Sequence, residues 1–268
     1  MPIIIKSDDE IAIMREAGRI VAEVLEILVA GVRPGLIVKK LDRIVQDQFE
    51  RRKVIPTFLG YLGYPARVCV SVNDEIVHGI PGDRVLREGD IVSIDLGATH
   101  KGFVADSALT VGVGRIRAEG QRLIDVTYQA LWEGIRAARP GARLGEISHA
   151  IQTCAEAHGY SVVREYVGHG VGREMHEEPQ VPNFGPPERG PILRKGMVLA
   201  LEPMVNIGDW RTKKHDDQWT VSTLDGSLSA HFEHTIAITD GEPEVLTLRS
   251  DEQPLLARTA ATAAERRS

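Results

Sequence analysis

Five residues of this 268-residue chain carry donor chemistry where polar groups are costly: Asp95, Asp106, His169, Glu202 and Glu233. Each stands inside or beside an apolar, strand-like or glycine-rich stretch, and a buried polar group without a partner is unfavourable. Four carboxylates and one imidazole make a donor set for two divalent ions that share bridging oxygens. The imidazole favours Mn, Fe, Co or Zn over the purely oxygen-ligated Mg or Ca.

Ile91-Val92-Ser93-Ile94-Asp95-Leu96 is an apolar strand pattern holding one Asp, and Val104-Ala105-Asp106-Ser107-Ala108 follows it. The H-K-G at 100–102 reads as the turn between them. A hairpin centred between His100 and Lys101 sets Asp95 directly opposite Asp106, with Cβ atoms about 5 Å apart. Two anions so placed repel, and burial adds a desolvation cost. A cation between them reverses both effects. Glu202 lies in the apolar run M-V-L-A-L-E-P-M-V, and Glu233 in H-F-E-H-T-I-A-I-T. Strand alternation there puts Phe232, His234, Ile236 and Ile238 on one face, and Glu233, Thr235 and Ala237 on the other. Any one of these acids alone also reads as a solvated residue at a strand end. Four of them, two in each half of the chain, weaken that reading.

Among nine histidines, His100, His149, His158 and His215 fall in turns or on helices and read as solvated. His231 and His234 flank Glu233 and read either way. His169 lies in V-G-H-G-V-G, whose glycines let backbone and ligand approach closely. His176 lies in M-H-E-E-P and His78 in N-D-E-I-V-H-G-I-P-G. The spacing from His169 to His176 is not that of the H-E-x-x-H zinc helix. One of the two suits a metal while the other faces substrate.

These residues need a scaffold. Ser7 and Glu10 form a capping-box pattern at the head of a helix over 7–30. Ile11, Met14, Gly18, Val21, Leu25 and Leu28 form its stripe. Gly31 and R-P-G at 33–35 end it. A second helix spans about 38–53. R-P-G recurs at 139–141, between helices over 119–138 and 144–158, and at that offset Val38, Leu41 and Val45 meet Leu144, Ile147 and Ile151. Such self-similarity indicates an internal duplication, and Glu202 follows Asp95 at close to the same spacing. Strands are predicted near 67–72, 76–79, 90–98 and 102–111, then near 161–167, 196–207, 217–224 and 227–239. L-D-G-S at 224–227 reads as a two-residue hairpin turn with Asp225 and Gly226 at its centre. Proline and glycine make 179–191 a loop, and a tail begins near Ser250.

The net charge of −6 and pI of about 5.9 argue against a nucleic-acid binder that works by neutralising phosphates. No apolar run approaches the roughly 18 residues that span a bilayer, and the opening M-P-I-I-I-K-S lacks the charged leader of a signal peptide. Cys69 and Cys154 lack the spacing of a disulfide framework, zinc site or redox pair, so two reduced thiols in a cytoplasmic protein are expected.

Taken together, G-Y-L-G-Y-P, C-V-S-V-N-D-E-I-V-H-G-I-P, D-L-G with a second Asp eleven residues after the first, G-H-G-V-G, H-E-E-P and A-L-E-P resemble the type I methionine aminopeptidases. The likeness runs over about residues 7–245. It implies an α/β pita-bread fold, with two pseudo-symmetric halves (about 7–112 and 113–245) around a dinuclear metal site. It implies one catalytic domain over 1–250 and a tail over 251–268, in the short bacterial-type form without an N-terminal zinc-finger extension.

The implied activity is removal of the N-terminal methionine from nascent chains, favouring a small second residue. Asp95 resembles the bidentate ligand of one ion, Asp106 and Glu233 the bridging carboxylates, and His169 and Glu202 the ligands of the other. His78 and His176 resemble the substrate-contacting histidines, and Glu202 the proton carrier. Phe58, Tyr61, Tyr64, Cys69, Met175 and Trp219 resemble the methionine pocket. Members often have a small residue or Cys where Phe58 stands, and Phe where Met175 stands. Asn73, with carbonyls of Glu75 and Ser229, resembles a monovalent-cation site. The resemblance further implies a monomer acting close to the ribosome, without membrane or specific nucleic-acid binding. The rival readings are an X-prolyl peptidase of the same fold and a non-catalytic binding protein on the same scaffold.

Overall fold

A computed structural model describes residues 2–252, so the expected tail, beyond its first two residues, lies outside the described residues. Four helices carry the scaffold: α1 (Asp8–Gly31), α2 (Lys39–Arg52), α3 (Ala118–Ala137) and α4 (Leu144–Ala157). The capping box forms at α1, where Ser7 Oγ accepts from Glu10 N at 3.3 Å and Glu10 Oε2 accepts from Ser7 N at 3.0 Å. Met14, Val21, Leu25 and Leu28 of α1 are fully buried, each contributing roughly 1.5–3 kcal/mol by leaving water. Val21, Leu25 and Leu28 join one apolar core with Leu41, Val45 and Phe49 of α2, Leu131 of α3 and Ile147 and Ile151 of α4, whereas Met14 joins a second cluster with Phe58 and Tyr64. Gly18 is required where it stands: a Cβ there would lie 2.2 Å from the Leu246 carbonyl oxygen.

Among the described residues all strand pairing is antiparallel, in four sheets. In the first, Ile91–His100 is flanked by Phe103–Gly112 on one side, and by Cys69–Val72 and Ile55–Pro56 on the other. A five-stranded sheet runs Glu244–Val245, His234–Ala237, Val198–Leu201, Gly168–Gly170, Glu177–Val181. Met204–Asn206 pairs with Ser161–Val162 and Ser229–His231. Glu75–Val77 joins Val221–Thr223 and Thr212–Lys214, linking chain segments far apart in sequence.

Three sequence expectations are corrected. Pro179–Val181 belongs to the strand Glu177–Val181 rather than to a loop. L-D-G-S forms no hairpin, because Val221–Thr223 and Ser229–His231 lie in different sheets. The Asp225 carboxylate instead accepts from the backbone N–H groups of Asp209 and Ser227, at 2.7 and 3.0 Å. That side chain-to-backbone bonding competes with the strand ladder. The alternating strand over 227–239 is interrupted at Phe232–Glu233, between Ser229–His231 and His234–Ala237. Among the described residues, no helix is long and apolar enough to cross a membrane.

Candidate active site

Asp95 and Asp106 come from adjacent strands, but not as directly opposed residues. The ladder pairs Asp95 with Ala108 and Asp106 with Gly97. The turn is Lys101-Gly102, one residue later than expected, with φ of 49° and 80°. A two-residue hairpin turn of this kind needs positive φ at both central positions, and glycine suits the second. Shifting the turn by one residue moves the partner by two, so both acids stay on one face of the sheet.

Glu233 reaches Asp106 because the interrupted strand crosses this hairpin. Glu233 N donates to Ala108 O at 2.8 Å, and Ser107 Oγ donates to Glu233 O at 2.6 Å. His169 occupies the strand Gly168–Gly170, pressed between its neighbours. A Cβ at Gly168 would lie 2.4 Å from Ala200 O, and one at Gly170 2.2 Å from Glu178 O. Glycines on both sides of the histidine are therefore a packing requirement. His169 Nδ1 donates to Gly170 O at 2.9 Å. A carbonyl only accepts, so the proton sits on Nδ1 and the Nε2 lone pair faces Glu202 Oε1 at 3.5 Å. Lone pair against carboxylate is repulsive unless a cation lies between.

Asp106, His169 and Glu233 each offer a donor atom within 4.8 Å of the others. Asp95 Oδ1, Asp106 Oδ1 and Glu233 Oε1 are buried without hydrogen-bond partners. Burial pushes Asp106 up to about 7, and pushes Asp95, Glu202 and Glu233 well above the usual carboxylate range, with neighbouring acids adding to it. Burial also pulls His169 down to about 3, helped by nearby His176. Left to themselves, these acids would keep protons; a divalent cation would ionise them and occupy their free oxygens. Asp106, His169 and Glu233 therefore fit a metal, with Glu202 beside His169 and Asp95 beside Asp106.

The six predicted pocket residues share one apolar cluster with Phe103, Val104 and Val171. Phe58, Tyr64, Cys69 and Met175 are buried; Tyr61 and Trp219 are partly exposed. Tyr64 meets Trp219 edge-on at 5.1 Å and Phe58 at 6.5 Å. Its hydroxyl is anchored on Val68 O and Gly79 O. Phe58 lies where a Cβ on Gly97 would approach its ring to 2.8 Å. Asp217 accepts from Trp219 N and Thr220 N, both at 2.9 Å, and so fixes the turn that presents the indole. Cys69 pairs in register with Asp95, so this apolar cluster adjoins the carboxylates.

His176 lies between pocket and donor set. Its Nδ1 is 2.7 Å from Tyr61 Oη, and its ring centroid is 4.3 Å from that of His169. His78 has φ 61°, a conformation that is uncommon outside glycine and marks strained sites. It faces Tyr166 and Trp219 edge-on at 5.7 and 6.3 Å. Burial lowers His78 to about 4 and His176 below the ordinary imidazole value, so both are neutral near pH 7.

Two residues at the centre carried no assigned role in the sequence. His231 is buried, with an unpartnered Nε2 3.8 Å from Glu202 Oε2. Thr235 bonds the Asp106 backbone. The signal was period-two alternation, which puts both on the face of Glu233. Asn73, at φ 62°, spends its side chain: Oδ1 accepts from Ile91 N at 3.0 Å and Nδ2 donates to Asp90 at 2.9 Å.

Comparison with known proteins agrees with this geometry. Methionine aminopeptidase 1 of Bacillus subtilis is 54% identical over 245 residues, spanning 91% of this chain and 99% of the relative. The crystal structure of methionine aminopeptidase from Thermotoga maritima has a TM-score of 0.91 at 48% identity, spanning 92% of this chain and 99% of that one. The prolidase from Pyrococcus horikoshii, 23% identical with a TM-score of 0.72 over 92% of this chain and 64% of its own, shares the fold alone. The architecture is the pita-bread fold of these enzymes. Residues 12–240 match the model of metallopeptidase family M24, and the chain belongs to that family.

Proposed function

We propose that this protein is a methionine aminopeptidase, which hydrolyses the bond between an N-terminal methionine and a small second residue of a nascent polypeptide. The observation that supports this best is the junction of pocket and donor set, where Cys69 stands in register with Asp95. An apolar side chain seated among Tyr64, Cys69, Phe58 and Trp219 brings its own backbone to the carboxylates. A thioether packs well against such aromatic edges. The catalytic unit is one domain of two related halves, about 7–112 and 113–245, working as a monomer in the cytoplasm near the ribosome.

Asp95, Asp106, His169, Glu202 and Glu233 would hold two divalent ions of the Co, Mn, Fe or Zn type, Asp106 and Glu233 being the acids that both ions would share. Bound there, such ions acidify water and polarise a carbonyl. Glu202 moves the proton from the attacking water toward the departing amine. In the tautomer that has Tyr61 O–H donating to His176 Nδ1, 2.7 Å away, the proton on Nε2 is free to bond the developing oxyanion. His78 hydrogen-bonds the scissile amide. The aromatic walls exclude bulk water from these polar contacts. A monovalent cation near Asn73 would draw on carbonyl oxygens, since the Asn73 side chain is already spent.

The test is methionine release from Met-Ala-Ser by protein loaded with each metal, against chelated protein. Release that needs metal, with Ala-Pro-Gly left intact, supports the reading. Cleavage of Ala-Pro-Gly instead makes the protein an X-prolyl peptidase, and metal binding without any cleavage makes it a binding protein.

A further inference from the structure

The loop that carries Met175 and His176 is tied to a charged pair outside the donor set. Glu177 follows His176, and its side chain is 4% exposed. Its Oε1 accepts from Arg173 N at 2.8 Å and Glu174 N at 3.3 Å. Its Oε2 accepts from Lys6 Nζ at 2.6 Å, and that lysine side chain is 2% exposed. Lys6 Nζ also donates to Ile4 O at 3.2 Å, and Lys6 N donates to Gly196 O at 2.8 Å. The N-terminal segment is thus fixed before it places its cation. Packing is tight: a Cβ on Gly172 would lie 2.4 Å from Glu177 Oε1 and 2.5 Å from Lys6 Cε. Arg173, the nearest alternative cation in the chain, points elsewhere, over the Phe103 ring and onto Glu10.

A buried ion pair is a poor source of stability, because apolar residues of equal volume often do as well. An apolar pair, however, has no oxygens for the two N–H groups that shape the 172–176 turn. The carboxylate supplies them through Oε1, and Lys6 Nζ supplies a donor for its buried Oε2. The far end of the turn is the imidazole that meets Tyr61 and His169.

We infer that Lys6 and Glu177 are positioning residues that hold the His176 imidazole in place from outside the metal-binding and pocket residues. The inference rests on the role given to His176 in the reaction proposed above.

The test is a double-mutant cycle with His176→Ala, read as methionine release from Met-Ala-Ser. Lys6→Met should lower kcat on the order of 10²-fold in the wild-type background, as a misplacement of about 1 Å does. In the His176→Ala background it should cost no more than about twofold, the ordinary error of additivity. Manganese binding measured by calorimetry should be unchanged by Lys6→Met. Equal losses in both backgrounds would make the pair merely structural and overturn the inference, as would an unaltered kcat. Should Lys6→Met not fold, the paired variant Lys6→Met/Glu177→Leu, which leaves no buried charge unpaired but removes the oxygen that accepts from Arg173 N and Glu174 N, carries the same cycle with the same expected outcomes. If wild-type protein releases no methionine, the proposed function fails. If wild-type is active and His176→Ala is slower, additive losses refute the positioning role alone.

Discussion

Thr235 holds Asp106 by both ends of its backbone: Asp106 N donates to Thr235 Oγ1 at 3.0 Å, and Thr235 Oγ1 donates to Asp106 O at 2.8 Å. One buried hydroxyl thus joins the hairpin that carries two of the acids to the strand that follows Glu233. Thr235→Val keeps the shape but leaves two buried backbone groups unpaired, at a cost of about 1–3 kcal/mol. A lower melting temperature and weaker metal binding by calorimetry are expected. Unchanged metal affinity would mean that Asp106 is held without the hydroxyl.

Asp106→Asn tests the shared carboxylate. It removes the charge while keeping the size, at the acid that lies with His169 and Glu233 in the tightest donor cluster. Metal content by elemental analysis and methionine release should fall together. A fully active, metal-loaded variant would exclude Asp106 as a ligand.

His78→Ala should separate binding from turnover. The imidazole lies against Tyr166 and Trp219 rather than among the carboxylates, so metal content should hold while kcat drops about 10²–10⁴-fold, the usual range for a lost proton-handling group. Loss of metal instead would put His78 in the ligand set.

Gly97→Ala probes the pocket without replacing a lining side chain. The added methyl would press to 2.8 Å on the Phe58 ring, and such overpacking costs about 1–3 kcal/mol. KM for Met-Ala-Ser should rise, and a smaller side chain at 58 (Phe58→Leu) should restore it. An unaltered KM would show that Phe58 does not shape the pocket.

Metal removal should invert the pH dependence of stability above neutrality. Buried His78, His169 and His231 titrate below their unfolded value of about 6.5, so they weaken the fold only at lower pH. Above that, the acids set the slope. Folded Asp106 titrates near 7, and Asp95, Glu202 and Glu233 are held higher than usual, whereas the unfolded carboxyls have lost their protons by about pH 5. The folded chain therefore binds more protons than the unfolded one, and stability falls as pH rises. Chelated protein should melt lower at pH 8 than at pH 6.5, and the metal-loaded protein should not. A chelated protein that gains stability over that interval would sink this account of the site.

The cap of α1 and the donor candidates were legible in the sequence from residue type and local pattern, whereas the pocket residues came only from the family resemblance. Glycines around His169 announced a close approach, and the apolar strand around Asp95 made that acid conspicuous. Period-two alternation even kept Asp95 and Asp106 on one face when the turn fell a residue away from its expected place. Tertiary structure alone decided the rest. The register of Asp106 against Gly97 depended on which two residues take positive φ, and the failed hairpin at Asp225 on side-chain bonds to a distant loop. His231 opposite Glu202, Thr235 astride Asp106, and Lys6 beneath the His176 loop are pairings across long stretches of chain. Sequence spacing can put His231 and Thr235 on the face of Glu233 but does not name their partners, since these pairings exist only once buried polar groups meet in the packed fold.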